Sequence, residues 1–287
     1  MAFEPPQRLV QALGENDEWL ARLPGTVQET VARRKLDVER AVAPGGRSSL
    51  VLLVRQHDGT PAALKLAPPA AAPDLERAAL EQWNGWGAVR LLDATDHGLL
   101  LERLHPEVSL RSLPEAKALL EAAGTVRRLW VEPPAGHGFE TVTRRTARQA
   151  DTMRKSGEPL VAAALAARDE LIAFPPEELL LHGNFRQGKV LSGDRVPWLA
   201  VGPEPLVGER AYDLARLVRD RVEDLVASSA GPSAARRRVN KLADSLEVDR
   251  ERLRGWTLFR AVESGTRAVA AGRRAEGELA LEFAGWL

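Results

Sequence analysis

Only six of the forty basic residues are lysines, so each lysine carries information. Lys65 lies in AALKLA, in the middle of an otherwise apolar strand pattern. About a dozen residues further on, PDLERAALEQWN has helical period and offers Glu76 near its start, with Glu81 as an alternative on the same helix. A strand lysine paired with a helix glutamate is an arrangement that holds an ammonium group against nucleotide phosphates. A solvent-facing lysine and a solvated helix face would leave the same pattern. In Gly45-Gly46-Arg47-Ser48-Ser49, between two strand patterns, small residues let backbone amides approach an anion such as phosphate, with Ser48 beside them; a plain hairpin turn is the competing reading. The second constellation is the stretch from Leu179 to Leu214, LLLHGNFRQGKVLSGDRVPWLAVGPEPLVGERAYDL, which gathers His182, Asn184, Arg186, Lys189, Gly202 and Asp213.

The elements that must position these groups fall into two kinds. Pro5 to Lys35 has helical spacing interrupted at Gly14 and Pro24-Gly25, which predicts short helices on a flank. From Leu36 the pattern changes to short Val- and Leu-rich strands, LDVERAVAP, LVLLVRQ and AALKLA, with Asp58-Gly59 as a hairpin turn. The helix over Pro73 to Asn84 follows, then the strands AVRLLDAT and GLLLERL, joined at Asp96-His97-Gly98. Three strands, a helix and two strands predict a compact antiparallel-sheet region over residues 1–104. Residues 105–287 read as mostly helical, with segments over Leu113 to Trp130, Phe139 to Lys155, Pro159 to Phe174, Ala211 to Ala227, Ser233 to Leu246 and Glu251 to Leu287. The fold class is therefore α+β. The Arg236-Arg237-Arg238 run reads as a solvated face, and the seven tryptophans as packing residues.

Composition narrows the function classes. Forty basic residues balance forty acidic ones, so the summed charge steers toward neither nucleic acid nor an anionic membrane. The absence of cysteine excludes disulfides, thiolate metal sites and a cysteine nucleophile. No window approaches a membrane span, and the N-terminus lacks a signal-peptide pattern, which makes the cytoplasm the expected location. The five histidines show no HxxxH spacing, so no zinc site is expected: His57 and His97 fall at turn tips, His105 follows Leu104, and His137 lies in a loop.

The runs GTPAALKL, ERAALEQWNGWGAVRLL, LLLERL, LLHGNFRQGKVL, WLAVGPEPLVGERAYDLARLVRD and ERLRGWTLFRAVESG give the resemblance a name. The chain resembles the aminoglycoside and hydroxyurea phosphotransferases of bacterial antibiotic resistance, of the streptomycin phosphotransferase type, from about residue 36 to the C-terminus. This resemblance implies a bilobal, protein-kinase-like fold with a small antiparallel-sheet N-lobe, a larger helical C-lobe and ATP between them. It implies that Lys65 binds phosphate with Glu76 as its partner, that Glu102 to Leu104 form the hinge meeting adenine, that His182 and Gly183 begin the family's HGD, and that Asp213 braces that loop.

Three positions depart from the family. Asn184 stands at the HGD aspartate, Lys189 at the asparagine that helps bind metal, and Gly202 at the aspartate that holds Mg²⁺. An amide lacks the basicity of a general base, and Gly202 offers no carboxylate to a hard cation. At an effective dielectric of about 20, two unit charges about 4 Å apart interact by about 4 kcal/mol, so Lys189 would repel a divalent ion about twice as strongly. No metal ligands are therefore assigned. These changes predict a pseudokinase without Mg-ATP phosphotransfer that acts through a small-molecule or protein partner. ATP binding stays open, with Lys189 pairing directly with phosphate in place of Mg²⁺. The alternative is an active divergent antibiotic kinase, or a repurposed enzyme of secondary metabolism using the same cleft. Another carboxylate would then do the work, with Asp194, Glu204 and Glu209 as the nearby choices.

Overall fold

The computed structural model describes residues 4–95 and 98–287 and divides them into two compact units. The first unit contains residues up to Ser109 together with Leu191–Val201; the second contains Leu110–Val190 and Gly202–Leu287. The predicted joint at Asp96-His97, and with it the turn tip assigned to His97, lies outside the described residues.

In the first unit the helices α1 (Gln7–Leu13) and α2 (Glu18–Arg34) precede the strands β1 (Asp37–Ala41), β2 (Leu50–Arg55) and β3 (Pro61–Leu66). The helix α3 (Pro73–Trp83) and the strands β4 (Leu91–Thr95), β5 (Gly98–Glu102) and β6 (Leu104–Ser109) follow. Five strands form one antiparallel sheet in the order β1-β2-β3-β5-β4. Strand alternation sorts its two faces. Leu50, Leu52 and Val54 of β2, with Ala62, Leu64 and Leu66 of β3, pack on Leu9, Leu20, Leu23 and Val27 of the first two helices. Lys65, paired in register with Val51 and Leu99, therefore points to the other face.

The Pro24-Gly25 pair does not divide the N-terminal flank as its composition predicts. α2 runs through it for seventeen residues, opened by Asp17, whose carboxylate accepts from Leu20 N at 3.0 Å. Burial of Leu20, Leu23 and Val27 along one stripe offsets the backbone bond that a proline removes. Leu104–Ser109, assigned to mostly helical sequence, is a strand. It joins β9 (Val190–Gly193) and β10 (Trp198–Ala200) in a small sheet ordered β10-β9-β6, with Leu104 opposite Gly193.

The second unit carries the helices α4 (Glu115–Arg127), α5 (Val142–Met153), α6 (Leu160–Ala173), α7 (Arg210–Val218), α8 (Val222–Val226), α9 (Gly231–Leu246), α10 (Arg250–Ala270) and α11 (Arg274–Ala284). α10 packs against α5, α6, α7, α9 and α11 and forms the axis of this unit. The short strands β7 (Glu140–Thr141), β8 (Leu179–Leu181) and β11 (Leu206–Gly208) form a small sheet with β11 in the centre. Its β8–β11 pair brings the residues that follow Leu181 close to those that precede Leu206.

Two readings of this region are corrected. The helix predicted from Ala211 to Ala227 breaks between α7 and α8, because Arg221 adopts a left-handed conformation (φ 55°) and its guanidinium binds Gln187 Oε1 at 2.7 Å and the carbonyls of Leu110 and Leu113. In the basic run of α9, Arg236 and Arg237 are exposed, but Arg238 turns inward to bond Val218 O and Glu115. Trp83 and Trp256 pack in the core as predicted, Trp256 edge-on to Tyr212 and Phe259, whereas Trp86 is exposed and departs from the reading of all seven tryptophans as packing residues. No helix among the described residues is long and apolar enough to cross a membrane.

Candidate functional site

In the first unit Lys65 projects from β3 and Glu76 from the first turns of α3, and the two side chains form an ion pair. Both are largely withdrawn from solvent, with side-chain exposures of 11% and 5%. Glu81 lies on an exposed part of the helix and pairs with Arg77 at 2.9 Å. Glu102, at the end of β5, accepts from Arg90 N at 2.7 Å and receives Arg195 through two bonds of 3.0 and 2.6 Å. Leu104 is buried at the start of β6, whereas Ser48 is exposed in the irregular connection between β1 and β2. His105 meets Asp194 at 2.9 Å, which commits that carboxylate within the first unit.

In the second unit the loop after β8 is built around buried charge. Asp213, on the first turn of α7 and fully buried, accepts from His182 N at 3.0 Å and Gly183 N at 2.9 Å, with Trp130 Nε1 at 3.4 Å. Burial pushes the Asp213 carboxyl above its ordinary range, against the opposing pull of Arg260 and the two amides. Arg260, on α10, donates to Gly183 O at 2.8 Å and Tyr212 O at 2.9 Å, and its guanidinium stacks over the Tyr212 ring at 4.4 Å. His182 Nδ1 accepts from Asn184 N at 3.3 Å and so closes the turn. Gly183 is required here: its φ is +74°, and a Cβ would lie 2.0 Å from Glu204 O.

A second buried carboxylate, Asp220, accepts from Gln187 N at 2.6 Å and fixes the far end of the loop. It was not anticipated from sequence. Its signal was spacing: Asp220 follows Asp213 by seven residues, two helical turns, within AYDLARLVRD. Arg260 also went unread, because an arginine in a helical run looks like one more exposed charge.

The three departures come together in this unit. Glu204 N donates to His182 O at 2.9 Å, which ties the loop to the segment after Gly202. That bond brings the exposed Glu204 carboxylate to Asn184, whose amide donates to Glu204 Oε1 at 2.7 Å. Of the three carboxylates weighed as replacements, Glu204 is therefore beside Asn184. Glu209 is buried and held by Arg252 at 2.6 Å and Trp256 Nε1 at 2.6 Å, while Asp194 is paired with His105. Lys189 ends the loop with Nζ 3.4 Å from Gly202 O, and a Cβ added to Gly202 would lie 2.5 Å from that nitrogen. An ammonium group thus occupies the space that a side chain at position 202 would enter. The residues present do not fit a divalent metal there. Arg186 is half-buried on the same loop, with its Nε enclosed.

The family model described as aminoglycoside/hydroxyurea antibiotic resistance kinase matches residues 34–272. Streptomycin 6-kinase of Streptomyces glaucescens is 35% identical, covering 96% of this chain and 92% of its own length. Hydroxyurea phosphotransferase of Kitasatospora aureofaciens is 36% identical, covering 92% of this chain and 77% of its own. Among solved structures, aminoglycoside phosphotransferase APH(4)-Ia matches with a TM-score of 0.61 at 17% identity, over 91% of this chain and 97% of that one. Choline kinase of Cryptosporidium parvum matches with a TM-score of 0.60 at 9% identity, over 91% and 93%. The fold is the bilobal, protein-kinase-like one that these structures share.

These relatives correct the expectation of a pseudokinase. Proteins about a third identical to nearly the whole chain are named as a kinase and a phosphotransferase, so the three departures do not mark a family that has lost its reaction. The loop itself carries a carboxylate and a cation beside the altered positions: Glu204 at Asn184 and Lys189 at Gly202. With the Lys65–Glu76 pair formed and the Asp213-braced loop in place, the sequence match over residues 34–272 has its structural counterpart, and the chain belongs to the aminoglycoside/hydroxyurea antibiotic resistance kinase family.

Proposed function

We propose that this protein is an active, divergent antibiotic kinase that transfers the γ-phosphoryl group of ATP to a hydroxyl of a small-molecule acceptor. The observation that carries the reading is the 2.7 Å contact between Asn184 and Glu204, which supplies a carboxylate to a loop whose own aspartate is missing. Lys65, oriented by Glu76, is the group for the nucleotide phosphates. Asn184 orients Glu204, and Glu204 accepts the acceptor's hydroxyl proton. The acceptor oxygen then forms its bond to the γ-phosphorus as the bond from that phosphorus to the β,γ-bridging oxygen breaks. ADP leaves with that electron pair, and the proton passes from Glu204 to solvent. Lys189 contributes a fixed positive charge at the loop. The proposal places the protein in the cytoplasm of a bacterium, where ATP is available; the kinase and phosphotransferase it resembles come from Streptomyces and Kitasatospora.

Thermal denaturation with ATP tests the nucleotide step. At a hundredfold excess over Kd, ATP is expected to raise the melting temperature by about 5–10 °C. The Lys65→Met variant should lose this response. Absence of any ATP response, together with absence of acceptor-dependent ADP release, would overturn the proposal.

The exchange of metal ligands gives a separate expected result. ATP stabilisation of the native chain should change little when EDTA replaces MgCl₂, because Lys189 stands where the cation would be bound. The double variant Lys189→Asn with Gly202→Asp restores an oxygen ligand set and should make the response depend on Mg²⁺. Equal dependence in both proteins would remove Lys189 from this role.

A further inference from the structure

The loop opens onto a cavity of about 460 Å³ within the second unit, and arginines predominate among its charged groups. Six arginines line it: Arg145, Arg148, Arg216, Arg219, Arg260 and Arg267. Asn184 and Glu204 form part of the same wall, which puts the cavity in contact with the residues assigned to proton transfer. The only lining carboxylates among the described residues are Glu204 and Glu263, and Glu140 stands behind Arg145 and Arg148. Asp213 adds its charge behind Arg260 and Glu276 adds its own beside Arg219, so the six guanidiniums outnumber the carboxylates around them by one.

The arginines are not equivalent. Arg145 and Arg148 share Glu140, Arg267 pairs with Glu263 at 2.8 Å, and Arg260 is committed to the Gly183 and Tyr212 carbonyls. Arg216 and Arg219, one turn apart on or just beyond α7, form no ion pair with a carboxylate among the described residues; Glu204 acts on Arg216 and Glu263 and Glu276 act on Arg219 only through their charge. Arg216 Nε is buried without a hydrogen bond among the described residues. Burial pushes the Arg216 guanidinium down to about 9, and Arg219, Arg260 and Arg186 add their repulsion. Burial likewise pushes Arg219 down to about 10. Two crowded cations in a cavity are unfavourable unless an anion completes the site.

We infer that this cavity binds an acceptor through an anionic group, so that the substrate is a hydroxylated small molecule carrying a phosphate or carboxylate and not a polycation. Arg216 and Arg219 supply the charge-assisted hydrogen bonds. An acceptor bearing several protonated amines or guanidines would meet like charge at Arg216 and Arg219, the two guanidiniums without an ion-paired carboxylate among the described residues. The inference rests on the phosphotransfer proposal only in naming the bound molecule an acceptor; the cavity's preference for anions can be measured without ATP.

Calorimetric titration of the whole chain with inorganic phosphate, and separately with streptomycin hydrochloride, tests it. Phosphate should bind, and streptomycin should not bind at the same concentrations. The Arg216→Gln/Arg219→Gln variant should bind phosphate at least about tenfold more weakly, the loss expected for charge-assisted bonds. It should fold, since it removes two mutually repelling, half-buried charges; circular dichroism checks this, and the single variants carry the test if the pair fails to fold. Phosphate binding should persist when ATP is present. Tighter binding of streptomycin, phosphate affinity unchanged in the variants, or displacement of phosphate by ATP would each overturn the inference. The last outcome would assign the arginines to the nucleotide. All three leave the ATP response of Lys65 untouched, so failure here is distinguishable from failure of the kinase reading.

Discussion

Glu204→Gln is expected to lower kcat by about 10²–10⁴, the contribution of a positioned general base, while leaving the thermal response to ATP intact. Glutamine keeps the length and shape of the side chain, and its carbonyl can still accept the 2.7 Å bond from Asn184, so the loop should hold its conformation. What it loses is the capacity to take a proton. The companion substitution separates chemistry from position. Asn184→Asp alone places two carboxylates in contact and raises the proton affinity of the pair, which disfavours ionised Glu204. Asn184→Asp combined with Glu204→Gln exchanges amide and acid across the same hydrogen bond and should recover much of the lost rate. Steady-state ADP release from the four proteins decides the matter: a Glu204→Gln variant as active as the native chain would move the base elsewhere.

Glu76→Ala is expected to destabilise the protein by about 3–5 kcal/mol, the cost of stranding one partner of a buried ion pair. Lys65 and Glu76 have side-chain exposures of 11% and 5%, so water cannot readily replace the missing carboxylate. Removing both charges, as in Lys65→Met with Glu76→Leu, should return most of that stability, because the desolvation cost of both ions disappears with their attraction. Urea denaturation gives the two free energies, and ATP titration gives the functional contrast: the double variant should be stable and unresponsive. A double variant as unstable as Glu76→Ala would mean that the pair holds the sheet and helix together for packing reasons, and not for nucleotide binding.

The fold was largely legible in the sequence because its signals are periodic. The alternation of Leu50, Leu52 and Val54 against Lys65's neighbours places the lysine on the face opposite α1 and α2, and local propensity agrees with that pattern. Legibility failed where long-range partners override local rules. Pro24 reads as a breaker, yet the buried stripe of α2 carries the helix past it. Arg221 reads as helix, yet its bonds to Gln187 and to backbone carbonyls hold it in a left-handed turn. The loop after β8 failed in a third way. Asn184, Lys189 and Gly202 are each visible as departures, but a sequence pattern records what has left a position and not what has moved in beside it. Glu204 lies twenty residues from Asn184 and reaches it through the β8–β11 pairing, a contact that no local spacing encodes. Cavity charge is similarly hidden: a chain with zero net charge still concentrates arginines from α5, α7 and α10 on one wall.

Arg260 ends one network and begins another. Its amino groups hold the carbonyls of Gly183 and Tyr212, and its guanidinium also forms part of the cavity wall. A ligand that draws on this cation therefore acts, through a single rigid group, on the peptide next to Asn184. Affinity and turnover are then not independently adjustable: binding energy gained at the remote anionic group is partly spent on aligning the loop. An acceptor trimmed of that group should react more slowly even at saturation, and an improvement in fit at the cavity should be visible in kcat as well as in KM.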